Sequence, residues 1–115
     1  MQNKQLSLFD NNKNIDEENI KFKIRRRRRQ IIVHSCIYYR LGDNIISDYQ
    51  YDMWAKELGR LQQDYPELSK QVPDFYEAFK SYTPECTSGY QLPIYLPEVV
   101  RKAEQLLEYH YRSKE

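Results

Sequence analysis

Five consecutive arginines, Arg25, Arg26, Arg27, Arg28 and Arg29, form the densest charge in the chain. Guanidinium groups in such number suit phosphate oxygens, so the run is a candidate nucleic-acid contact. A continuous run rings a helix instead of lining one face, and it offers no spaced set of side chains to read base edges. Such contact would be independent of sequence and sensitive to salt. The alternative is a solvated helix start in which the arginines pair with Asp16, Glu17 and Glu18. His34 and His110 are the only histidines, and neither has the neighbours of a catalytic triad or a metal site. Cys36 and Cys86 lack CxxC spacing, which argues for reduced thiols and against zinc or a disulfide scaffold. Cys36 falls among apolar residues and is expected to be buried and inert. No catalytic residue and no metal ligand is therefore assigned.

These groups sit in a chain of 115 residues and 14.1 kDa, enough for one small domain. Eighteen basic and seventeen acidic residues leave a net charge of +1. The average conceals an asymmetry, because nine basic residues face thirteen acidic ones after Arg29. No apolar run approaches the length of a membrane span, and MQNKQLSLFD has no signal-peptide core. A cytoplasmic protein is expected. Eleven tyrosines are many for this length, and with only three glycines a turn-rich β fold is disfavoured.

Residues 1–23 read as a flexible polar tail, with apolar residues at neither helical nor strand spacing. Helical periodicity begins at Ile24. Ile24, Arg28, Ile31, Ser35 and Tyr38 make one stripe, with Ile32, Cys36 and Tyr39 beside it, and Gly42 is placed to stop the helix. Ser47 with Gln50 three residues on is a capping box for a second helix, which carries Tyr51, Trp54, Ala55, Leu58 and Leu61 on one face and ends at Pro66. A short third helix is expected from about Pro73 to Tyr82, a loop through Leu92, and a last helix from Pro97. The expected fold is all-α: a four-helix domain over 24–115, with a helical hairpin and a disordered amino-terminal tail.

Within the tail, Gln5-Leu6-Ser7-Leu8-Phe9 resembles the peptide by which bacterial polymerases and repair proteins dock on the β sliding clamp. All five positions fit that pattern. The resemblance implies that Leu8 and Phe9 anchor in an apolar groove while Gln5 hydrogen-bonds at its far end. The alternative is that Leu6, Leu8 and Phe9 strap back onto the helices.

Residues 34–68 carry a second resemblance. His34, Tyr38-Tyr39, Ile46-Ser47-Asp48, Tyr51-Asp52, Glu57-Leu58 and Tyr65-Pro66-Glu67-Leu68 are similar, in order and spacing, to the amino-terminal subdomain Ia of bacterial NAD-dependent DNA ligases. In that family the subdomain closes over the nicotinamide mononucleotide half of NAD. The resemblance implies that Tyr38 and Tyr39 flank the nicotinamide, while Asp48, Tyr51 and Asp52 complete the pocket. The turn departs from the family's Asp-Pro pattern, reading Gly42-Asp43-Asn44-Ile45, and no Lys-x-Asp-Gly motif is present. Ligation by this chain is therefore not expected.

The expected function is a non-catalytic, clamp-tethered accessory or modulator of DNA replication or repair, resembling stand-alone ligase-related proteins of phages and mobile elements. No cofactor is needed for that role. One alternative is a module that binds NAD or nicotinamide mononucleotide. Another is a phage inhibitor of a host replication or defence protein.

Overall fold

The computed structural model describes residues 2–83 and 91–114, with side chains from Ile15 onward. Among them are five α-helices and no strand: α1 (Gln2–Ser35), α2 (Asp48–Asp64), α3 (Pro66–Gln71), α4 (Tyr76–Phe79) and α5 (Pro97–Arg112). The fold is all-α, with one helix more than the sequence suggested. Pro66 ends α2 as expected, but it also opens α3, because a proline at the first helical position lacks only an N–H that would be unpaired anyway.

The helical start expected at Ile24 also needs correction. Residues 15–23, assigned to the tail, continue α1, with Ile20 packed against the core one turn before Ile24. The pentapeptide Gln5 to Phe9 falls within the backbone range of α1, and its side chains lie outside the described residues. Cys86 likewise lies outside them.

α1 is the central element and touches α2, α3 and α5. Ile24, Ile31, Ile32 and Cys36 from α1 and its continuation meet Ala55 and Leu58 of α2, Phe79 of α4, and Val99 and Ala103 of α5 in one buried core. Cys36 is fully buried, and burial pushes its thiol pKa up, which keeps the thiol protonated and unreactive.

α1 runs directly into a π-helical turn, Cys36–Arg40. Cys36 and Ile37, at its start, are both buried in the core. Tyr38 and Tyr39 are turned outward and exposed. The turn closes with Leu41 N–H donating to the Cys36 carbonyl at 3.0 Å and Asp43 N–H to the Ile37 carbonyl at 3.0 Å. Gly42 supplies the required left-handed residue, with φ 68°.

α2 starts as its capping box dictates: the Ser47 hydroxyl accepts from the Gln50 N–H at 3.0 Å. The helix expected from Pro73 to Tyr82 shrinks to Tyr76–Phe79 because the carbonyls of Val72 and Asp74 turn toward Arg28, and Phe75 takes a left-handed conformation, φ 55°.

Candidate nucleotide cleft at the hairpin turn

The join between the π turn and α2 encloses a cleft of about 310 Å³. Tyr38, Tyr39, Asp48 and Tyr51 line it, along with His34 and Ser35. Each arrives for a local reason. The π turn exposes the two tyrosines, whose rings meet edge to face at 4.9 Å between centroids. Asp48 is the first residue of α2, where a carboxylate suits the helix dipole. Tyr51 sits one turn later, and its hydroxyl lies 2.9 Å from that of Ser35, tying the second helix to the first across the cleft. Burial raises the Tyr51 pKa, partly offset by that hydrogen bond, so the phenol stays neutral.

Asp52 does not line the cleft. Its carboxylate pairs with Lys56 at 2.9 Å, one turn along α2. This i, i+4 pair is readable in the sequence and separates Asp52 from the other four residues.

His34, which has no catalytic or metal-site neighbours in the sequence, forms part of the cleft wall. Its side chain is buried, its ring lies 5.5 Å from that of Trp54, and its Nδ1 has no hydrogen-bond partner. Burial lowers its pKa below the ordinary 6.5, so the imidazole is neutral at pH 7.

The arginine run divides sharply. Arg28 is 0% exposed. All five of its N–H groups are used: Nε donates to Gln62 Oε1 at 3.0 Å, Nη1 to the Val72 and Asp74 carbonyls at 2.8 Å each, and Nη2 to the Ser69 carbonyl at 3.0 Å and hydroxyl at 2.8 Å. Burial pushes its pKa down to about 10, with Asp74 and Tyr76 acting against the shift, and the guanidinium stays charged at pH 7. Arg28 is thus a structural tie between α1, α2, α3 and the turn before α4, and its assignment to nucleic acid is corrected.

Arg27 is half-buried over Trp54, with Nη1 donating to Gln30 at 2.5 Å. Arg25 and Arg29 both pair with Asp74, at 3.3 and 2.6 Å, and not with the acidic residues of the tail. Burial alone would raise the Asp74 carboxyl, but these two guanidinium groups hold it below its ordinary value. Glu18 pairs with Lys21 instead. Within the run, Arg26 alone is exposed with no partner among the described residues.

No group of residues able to hold a metal ion occurs among the described residues. None of the described helices is long and apolar enough to cross a membrane.

Comparison with known proteins agrees with the resemblance read from the hairpin. Residues 17–73 match the family model described as the DNA ligase-like, N-terminal NAD+-binding domain. The DNA ligase of Pseudothermotoga lettingae is 47% identical over 51 residues, covering 44% of this chain and 8% of that protein. The DNA ligase of Petrotoga mobilis is 44% identical over 57 residues, half of this chain and 8% of the ligase. That of Methylococcus capsulatus is 44% identical over 46 residues, 40% of this chain and 7% of the ligase. The chain therefore spans less than a tenth of the length of these relatives. No solved structure gives a significant match. Residues 17–73 of this chain are similar to the N-terminal NAD+-binding domain Ia of DNA ligases.

Proposed function

We propose that the protein binds the nicotinamide mononucleotide end of NAD at the hairpin turn and serves DNA replication or repair as a binding module, without joining DNA ends itself. One observation carries this reading: four of the five residues that the ligase resemblance implies, Tyr38, Tyr39, Asp48 and Tyr51, line a single cleft. The chemistry of the lining suits the ligand. Tyrosine faces attract a pyridinium cation. The Asp48 carboxylate accepts hydrogen bonds from ribose hydroxyls. The Tyr51 hydroxyl, paired with Ser35, presents a neutral polar edge. Asp52 would join the set only by giving up Lys56.

Isothermal calorimetry with nicotinamide mononucleotide tests this. Saturable binding that is lost in Tyr51→Ala, while helical content by circular dichroism persists, supports the reading. Absence of binding to the wild-type protein overturns it.

Gln5 to Phe9 supports a second reading, in which the protein is also tethered to a β sliding clamp. Tethering would raise the local concentration of the nucleotide module at replicating DNA. Binding to purified clamp that disappears in Leu8→Ala/Phe9→Ala supports it, and wild-type protein that ignores the clamp overturns it.

A further inference from the structure

A second and larger cleft, about 660 Å³, opens between α1, the turn at Asp74 and Phe75, and α5. Val33, Phe75, Val99 and Leu106 give it an apolar floor. Its rim carries Arg29, Arg101 and Lys102. Five of its eleven lining residues come from α5, which lies outside residues 17–73, so the ligase-like segment alone does not form it.

The charge here opposes that of the rest of the body, which is acidic after Arg29. Asp74, at the rim, is already held by Arg25 and Arg29. Glu98 is the other rim carboxylate. Arg101 and Lys102 are exposed and have no partner among the described residues, and neither has Arg26, one turn before Gln30 of the same wall. Cations left unpaired around an apolar trough fit a ligand with phosphates at its edge and flat apolar surfaces at its centre. Nucleic-acid strands with unstacked bases have that form, and aromatic side chains such as Phe75 offer a stacking face.

We propose that the α1–α5 cleft binds single-stranded nucleic acid, with a base against the floor around Phe75, phosphates on Arg101 and Lys102 at the rim, and the strand continuing toward Arg26 beyond it. A duplex keeps its bases stacked and offers nothing to the floor. Binding is sequence-tolerant and weakens as salt rises, because phosphate contact releases counterions.

The test is fluorescence anisotropy of the full chain with a labelled short oligothymidylate and with a labelled duplex of equal length. Two double charge reversals of equal size are compared, Arg101→Glu/Lys102→Glu at the rim and Arg112→Glu/Lys114→Glu away from it. All four residues are exposed, and circular dichroism checks that both variants keep the helical content of the wild type. The expected result is tighter binding of the single strand than of the duplex, with affinity about tenfold or more lower in the rim variant and much less changed in Arg112→Glu/Lys114→Glu. Equal loss in both variants would reduce the effect to general charge and overturn the proposal. So would displacement of the strand by an equal nucleotide concentration of thymidine monophosphate, equally tight binding of an oligoglutamate, or no binding at low salt.

Discussion

Tyr51 Oη and Ser35 Oγ lie 2.9 Å apart, and this hydrogen bond joins the two helices where the candidate nucleotide cleft opens. Ring and hydroxyl therefore have separable roles. Tyr51→Phe keeps the aromatic wall and loses the bond, at about 1 kcal/mol of stability. Tyr51→Ala removes the wall as well and costs about 3 kcal/mol or more. Urea denaturation separates the two. Mononucleotide binding is expected to be weakened in Tyr51→Phe and abolished in Tyr51→Ala.

Arg28 holds more of the fold together than any other polar side chain described here. Replacing it by Met takes the donors from the Val72 and Asp74 carbonyls and from one end of Gln62, while the Ser69 carbonyl keeps only the Val72 N–H. The expected loss is on the order of 3–5 kcal/mol. Arg28→Lys does not restore it, since an ammonium has three donors and no planar fork. Arg26→Ala, at an exposed side chain with no partner among the described residues, changes stability by less than about 0.5 kcal/mol. Thermal melts of the three variants check the order.

The contrast between Arg28 and its neighbours marks where sequence reading stops. Caps and stops are local chemistry, so Ser47 with Gln50, Gly42 and Pro97 were all legible. The cleft tyrosines were legible through the ligase resemblance. Arg28 was not, because its acceptors lie 34 to 46 residues away and four of the five come from the 69–74 segment, including three backbone carbonyls that carry no residue signature. The outward placement of Tyr38 had the same kind of cause, since a π turn shifts the register without any marker residue. The second cleft has no local sequence signature, because its wall joins Val33 to Val99 and Leu106 across the chain.

His34 makes stability depend on pH. Its folded pKa lies below 6.5 because burial penalises the charged form. In the window between its folded value and 6.5 the unfolded chain binds more protons, so stability is full above 6.5 and falls as pH drops through that window. Melting temperature is expected to decrease on acidification from neutral pH. His34→Gln is expected to flatten that part of the profile, and an unchanged slope in the variant would exclude His34 as its source.

Tyr111 donates to Asp43 at 2.6 Å, linking α5 to the hairpin turn. This bond, with the Asn44 N–H at 2.6 Å, lowers the Asp43 pKa below its ordinary value. Tyr111→Phe is expected to raise it toward 3.8. Carbon-detected NMR titration of the Asp43 carboxyl reads the change directly, and a titration identical to wild type would show that the bond is absent in solution.

The most direct test of nucleotide recognition is a titration of isotopically labelled protein with nicotinamide mononucleotide, followed by amide NMR. Saturable shifts confined to Ser35, Tyr38, Tyr39, Asp48, Tyr51 and their neighbours are expected. A spectrum that does not change, or one that changes only along α5, would contradict a nicotinamide site at the hairpin turn.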